Sequence, residues 1–431
     1  MPSVIVVGGG LAGMAATAAL ASVGYDVQLF ESRPYLGGRA TSYTIPTGDG
    51  QGETIDNCQH ILLRCCVNLL DFYRRLGVLD QIEFHREFYF MEPGGRTSIF
   101  RAGVLPRPLH FAGSFLGMRY LTASEKLALV RGLLSLQSEY GKRPDLNDIS
   151  MTDWLQEKSQ PPRVVERFWR QILVSAVNEE LDRMAAACAF QVFWLGFLAT
   201  RDCYEMGIPK GSLGNLYNAD LWSSNPKVRV YLRAAAASLT GDGMRVGDEV
   251  RRADYYISAV PFERSQALTG SPVDGFEHSP ITGIHIWFDR SITDLPHATL
   301  LDRTIQWMFN KGGGKYVQLV VSASRSLVKM DRQEVLALSL RELKEFFPAA
   351  VSAQVERFHV VKELRATYSA KPGLKRPSIR TDVPNVFRAG DWVSSGWPST
   401  MEGAVRSGYL AAEAVTQAAG HPVKFVLPDI A

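Results

Sequence analysis

Cysteine is scarce in this chain, with five residues in 431: Cys58, Cys65, Cys66, Cys188 and Cys203. None forms a C-x-x-C pair or another metal-ligand spacing, so no metal site is expected. The odd count argues against a disulfide framework and fits free thiols in a reducing cytoplasm. An excess of one charge is also missing. Lys and Arg number 47 against 44 Asp and Glu, a net charge of +3, which gives no basis for a nucleic-acid partner. Long apolar runs are nearly absent. Residues 184–200, MAAACAFQVFWLGFLAT, carry no charge between Arg183 and Arg201, but Gln191 interrupts a stretch at the short end of the spanning range. It reads as a buried helix lining an apolar cavity. There is no internal repeat or low-complexity tract. No secretory leader precedes the first apolar run, so the chain is not expected to be secreted.

What is present is concentrated at the N-terminus. From Val4 to Glu31 the sequence VIVVGGGLAGMAATAALASVGYDVQLFE reads as buried strand, glycine turn, small-residue helix and second strand ending in an acid. Gly8 allows the tight turn, Gly10 lets backbone approach a pyrophosphate, and Gly13 lets helix and strand pack closely. The helix N-terminus then points free amides at the phosphates. Glu31, eighteen residues after Gly13, falls where a carboxylate accepts from ribose hydroxyls. A dinucleotide site follows, and the chain holds no second G-x-G-x-x-G.

Further strand signals are widely spaced: Val228–Leu239, Ala253–Glu263 and Asn385–Trp392. They read as parts of the same nucleotide domain interrupted twice. The expected division is residues 1–60, 205–279 and 379–431 for the cofactor, and 61–204 with 280–378 for substrate. The first insertion reads as mostly helical, with apolar spacing of three and four in LLDFYRRLGVL, SEKLALVRGLLSL and VVERFWRQILVSAV. The second reads as a sheet with a helix over it. The expected fold is α/β: a Rossmann-like dinucleotide-binding domain with an inserted mixed α+β substrate domain.

Two later blocks narrow the cofactor. GGRATS begins at Gly37, and AGDWVSSGWPSTMEGAVRSG runs from Ala389 to Gly408. Arg39 offers a charged donor, Asp391 an acceptor for a ribityl hydroxyl, and the helix starting near Thr400 aims its amides at a flavin carbonyl. With the first motif, these blocks resemble the FAD-dependent amine oxidase and phytoene desaturase superfamily over essentially the full length. The resemblance implies that the Rossmann-like domain is an FAD-binding domain of the glutathione-reductase type, with FAD held by Gly8, Gly10, Leu11, Ala12, Gly13, Glu31, Ser32, Gly38, Arg39, Ala40, Gln59, Ala236, Val260, Gly390, Asp391, Thr400, Met401 and Ala404. IDNCQHILLRCC at Ile55, QPPRVVERFWRQILVSAVN at Gln160, RAGVLPRPLH at Arg101 and PSTMEGAVRSG are similar to the squalene-associated branch, the hydroxysqualene dehydroxylases. Cys58 stands where relatives in that branch carry glycine.

That branch implies reductive loss of an allylic hydroxyl in bacterial squalene and hopanoid synthesis. A general acid protonates the leaving oxygen, and hydride comes from reduced flavin. The candidate acids are His60 and Glu402, with Asp56 and Gln59 orienting them. Phe168, Trp169, Phe193, Trp194 and Phe197 are candidate tunnel residues for a long polyprenyl chain. Residues 100–121 interleave apolar side chains with Arg101, Arg107, His110 and Arg119, a pattern suited to peripheral docking on the cytoplasmic face of an anionic membrane. An external reductant is required, with reduced nicotinamide one option. The alternatives are a carotenoid-type desaturase, an amine oxidase, or an FAD-containing lipid carrier without catalysis.

Overall fold

A computed structural model describes residues 2–47 and 50–430. Its organising element is a five-stranded parallel sheet. In spatial order the strands are Val228–Tyr231, Asp26–Phe30, Ser3–Val7, Tyr255–Ser258 and Val386–Arg388. The three distant strand signals therefore meet the N-terminal unit in one sheet. Val4, Ile5 and Val6 have no solvent exposure, because a parallel strand covered on both faces must be apolar on both. Each such side chain contributes about 1.5–3 kcal/mol by leaving water.

Two helices cover one face of this sheet. Leu11–Ser22 follows the glycine turn, and Met401–Ala418 follows the late acidic block. They approach so closely that a Cβ on Gly408 would stand 2.2 Å from the Ala12 carbonyl oxygen. A small antiparallel sheet, Ala236–Leu239, Met244–Val246 and Glu249–Arg251, lies on the other side.

The second body is a seven-stranded sheet in the order Val355–Tyr368, His278–Phe288, Tyr316–Ser322, Trp307–Gly312, His297–Leu300, Phe88–Met91 and Thr97–Phe100. Its last two strands come from the region read as mostly helical, so the two insertions share one sheet. FYFM and TSIF are too short to stand out from a helical background by periodicity alone. The helix Arg332–Phe346 covers one face of this sheet, and the helices of the first insertion lie toward the other.

Residues 186–198 form one continuous helical run that changes its turn type. An α-helix, Ala186–Phe193, passes into a π-helical turn, Trp194–Leu198. A second π-helical turn, Val165–Arg170, precedes the helix Gln171–Val177. No helix among the described residues is long and apolar enough to cross a membrane.

Residues 100–121 divide their apolar side chains between inside and outside. Phe100, Phe111 and Met118 are buried. Val104, Leu109 and Leu116 are 89%, 58% and 74% exposed, and Leu105 is exposed as well.

Candidate functional site

The first strand delivers its chain into the glycine turn. Gly8 has φ +113°, and its N–H donates to the Phe30 carbonyl at 2.8 Å. A Cβ on Gly13 would lie 1.9 Å from the Gly8 carbonyl oxygen, so this glycine is required by packing inside the protein. Gly10 differs. Its φ of −76° and ψ of 178° suit any residue, and its Cβ would meet nothing nearer than the Gly38 Cα at 3.9 Å. Neither backbone strain nor protein packing demands glycine there. The space it keeps open lies at the N-terminus of the Leu11–Ser22 helix, which no side chain caps. An uncapped helix start with backbone clearance is the arrangement a pyrophosphate requires.

Glu31 is buried beside this turn. Its Oε2 accepts from Gly9 N–H at 2.7 Å, and its Oε1 from Arg33 N–H at 2.8 Å and from Ser32 Oγ at 3.1 Å. The carboxylate thus fixes the loop while keeping further acceptor capacity. Ala234 N–H donates to the Glu31 carbonyl at 2.9 Å, which places the segment leading to Ala236 alongside the acid. Gly37 N–H donates to the Gly9 carbonyl at 2.9 Å, and Gly38, at φ +63°, crosses directly over Gly10. The GGR segment therefore folds back across the glycine turn, with Ala40 buried behind it.

Arg39 joins the two ends of the sequence. Its guanidinium pairs with the Asp391 carboxylate and donates to the Ala366 carbonyl at 3.1 Å. The other Asp391 oxygen accepts from Ser399. Gly390, at φ +139°, donates to Ser407 Oγ at 2.8 Å. Trp392 Nε1–H donates to the Val260 carbonyl at 2.9 Å, tying the late block to the segment after Tyr255–Ser258. Thr400 caps the last helix by accepting from Gly403 N–H at 3.0 Å. Met401 and Ala404 lie in that first turn. Glycine turn, GGR segment and late acidic block thus form one continuous cradle, and its donor set fits FAD.

Beside this cradle, His60 Nδ1 lies 2.9 Å from the Cys58 carbonyl, an arrangement in which Nδ1–H donates and Nε2 is the free acceptor. Burial pushes its pKa below the ordinary histidine value, which favours a neutral ring. The buried Cys58 thiol is pushed up to about 12 by desolvation and is inert as a nucleophile. Gln59 accepts from Lys311 Nζ at 3.1 Å, and the same ammonium lies 3.2 Å from Asp56. Asp56 also accepts from Ser42 Oγ at 2.7 Å and Leu213 N–H at 2.9 Å. Lys311 was not legible as a site residue. Nothing local in YVQLVV or WMFNKG says that this strand end reaches residues 56–59.

Glu402 has no solvent exposure, yet its residue lines a cavity. Its carboxylate accepts from Leu69 N–H at 2.7 Å, Asn68 Nδ2 at 2.8 Å and Asn68 N–H at 3.3 Å. It therefore caps the helix Val67–Arg75 across the fold. Desolvation pushes its pKa up to about 7 against the pull of these donors and of Arg406.

The cavity has a volume of about 190 Å³. One wall is Ile61–Leu63, Cys65, Cys66 and Leu69 with Trp397, Pro398, Thr400, Met401 and Glu402, and another is Phe88, Phe90, Phe100, Thr299 and Trp307. The helices supply Phe168, Gln171, Ile172, Ser175, Val192, Leu195 and Phe197. Of the five expected tunnel residues, Phe168 and Phe197 face this space. Phe193 stacks behind Phe168 at 5.7 Å, and Trp169 is fully buried with its Nε1–H on Gln160 Oε1 at 2.9 Å. Trp194 stacks on Tyr140 at 4.9 Å. Gln171, Thr299 and Trp307 were missed, because their convergence depends on tertiary packing.

Fold and site define a flavin-dependent oxidoreductase with an apolar cavity beside the cofactor cradle. The profile described as flavin-containing amine oxidoreductase matches residues 11–416, and the chain belongs to that family. Its cofactor is FAD. The chain is similar to a probable zeta-carotene desaturase of Synechococcus elongatus, at 24% identity over 96% of this chain and 98% of the relative. The 15-cis-phytoene desaturase of the same organism is also 24% identical, over 96% of this chain and 95% of the relative. Cyclohexylamine oxidase from Brevibacterium oxydans shares the fold, with a TM-score of 0.66 at 18% identity over 97% of this chain and 99% of that structure.

Proposed function

We propose that this protein catalyses FAD-dependent reductive dehydroxylation of hydroxysqualene to squalene. The observation that carries the reading is a cavity walled mainly by aliphatic and aromatic side chains, with Glu402 as its one acidic lining residue beside the cofactor cradle. Such a wall suits a long isoprenoid chain and offers no basic group to an anionic substrate. When bound and reduced by an external two-electron donor such as a reduced nicotinamide, FAD would supply the hydride and return to its oxidised form. The balance is alcohol plus hydride plus proton giving hydrocarbon plus water.

The protein's own part is to desolvate the chain, hold the reacting carbon and supply the proton. Glu402 is the stronger acid candidate, since burial keeps a fraction of it protonated near neutral pH. Neutral His60 presents an acceptor nitrogen and is better placed to orient a hydroxyl than to protonate it. We assign residues 1–60, 205–279 and 379–431 to cofactor binding, and 61–204 with 280–378 to substrate. Exposed Val104, Leu105, Leu109 and Leu116, near Arg101, Arg107 and Arg119, support docking on an anionic lipid surface from which the substrate is drawn.

Desaturation of a carotene-type hydrocarbon is the second reading. The 24% identity to carotene and phytoene desaturases over nearly the whole chain favours it. Product analysis separates the two. Holoenzyme with reduced nicotinamide or dithionite and hydroxysqualene is expected to yield squalene. Failure with both reductants, together with dehydrogenation of phytoene by the oxidised enzyme, would assign the protein to desaturation.

A further inference from the structure

The sheet wall of the cavity holds an oxygen-binding group that hydrocarbon chemistry does not need. Thr299 is fully buried, lines the cavity, and its Oγ1 has no hydrogen-bond partner among the described residues. It stands in register with Trp307 on one neighbouring strand and Phe90 on the other, both of which line the same space. A buried hydroxyl left without a partner is costly. A wall meant only for a hydrocarbon would be better served by valine, which has the same shape.

Gln171 lines the same cavity. Its Nε2–H donates to the Gln306 carbonyl at 3.1 Å, next to Trp307, and its Oε1 takes no hydrogen bond from the described residues. Gln306 is itself locked, accepting from Ser322 N–H at 2.8 Å and donating to the Ser322 carbonyl at 3.2 Å. Trp307 is fixed by its Nε1–H on Ser175 Oγ at 2.8 Å. The amide orientation of Gln171 is therefore set, with the acceptor oxygen left over. Thr299 can donate and Gln171 can accept, and both belong to a rigid frame.

We infer that Thr299 and Gln171 form a binding subsite for an uncharged hydroxyl group on an isoprenoid substrate. An alcohol is the smallest group that satisfies both, accepting from Thr299 Oγ1–H and donating to Gln171 Oε1. A hydrocarbon satisfies neither, and an ether satisfies only Thr299. Neither residue carries charge, so a protonated amine finds no counter-ion in this pair. The inference rests on the proposed isoprenoid reading of the cavity and adds what that reading lacks, the residues that tell an alcohol from a hydrocarbon.

The test is equilibrium binding to the oxidised holoenzyme, followed by perturbation of the flavin absorbance, with hydroxysqualene, its methyl ether and squalene as probes. Wild-type protein is expected to bind the alcohol at least about tenfold more tightly than squalene, as two neutral hydrogen bonds in a dry site imply. The ether is expected to fall between them. Thr299→Val should bring alcohol and hydrocarbon within about twofold while leaving squalene affinity unchanged, and Thr299→Ser should restore most of the preference. Equal affinities of the wild type for all three probes would overturn the subsite even if the variants failed to fold, as would a preference that survives in Thr299→Val. No turnover is read here. A missing alcohol preference therefore leaves the dehydroxylation test standing, and a failed dehydroxylation leaves this comparison intact.

Discussion

The cofactor cradle and the substrate cavity are built in opposite ways. In the cradle, backbone does most of the work: Gly8 turns, Gly13 admits close packing, Gly38 crosses over Gly10, and helix amides supply the donors. In the cavity, side chains do the work, arriving from a loop, two helices, several strands and the start of the last helix. Backbone geometry needs particular residues at particular spacings. An apolar wall needs only volume, and many residues provide it. The cradle is accordingly intolerant of single substitutions, whereas the cavity should tolerate change with graded loss.

Gly13→Ala should have the largest effect, because its Cβ would meet backbone at 1.9 Å. Several kcal/mol of destabilisation and loss of bound flavin are expected, read from denaturant unfolding and the flavin-to-protein ratio. Gly10→Ala sharpens the contrast, since it should leave the apoprotein's stability unchanged and still weaken flavin binding. Next comes Phe168→Ala, which removes a ring stacked on Phe193 and should cost about 3–5 kcal/mol while keeping flavin stoichiometric. Equal flavin loss in Phe168→Ala and Gly13→Ala would erase the distinction between the two regions.

Glu402 gives a prediction in pH. Its folded pKa of about 7 lies above the ordinary value of 4.5, so the folded state holds the proton more tightly than the unfolded chain. That contribution is complete below pH 4.5 and is lost as pH rises through 7, a change on the order of 3 kcal/mol. Glu402→Gln should flatten this slope, measured as denaturant midpoints at mildly acidic and mildly basic pH. An unchanged slope would show that the carboxylate is ionised throughout. The smallest effect on stability is expected for Val104→Ser with Leu116→Ser, within about 0.5 kcal/mol. Liposome flotation should nonetheless fall, and unchanged flotation would remove residues 100–121 from any docking role.

The same contrast explains what could be read before folding. The glycine turn, Glu31, the GGR segment and the late acidic block announce themselves because each encodes a local backbone requirement. Membership of the first sheet was accessible too, since Val228–Leu239, Ala253–Glu263 and Asn385–Trp392 each contain a strand that joins the N-terminal unit, whereas the order of the strands was not. Phe88–Met91 and Thr97–Phe100 escaped because each is only four residues long, and Phe88–Met91 joins the large sheet through a strand that lies far along the chain. Phe111 looked like a docking side chain by composition, but it stacks on Phe100 at 4.4 Å and is buried. Lys311, Gln171 and Thr299 gave no sequence signal, because a polar residue in a strand or helix acquires meaning only from what folds against it.

The direction of the reaction is the central claim, and one absorbance measurement reaches it directly. Holoenzyme reduced under anaerobic conditions is mixed with hydroxysqualene, and the oxidised flavin band is followed. Return of that band with squalene formed one-for-one is the predicted result. A band that stays bleached with hydroxysqualene, while oxidised enzyme is bleached by phytoene, would contradict it.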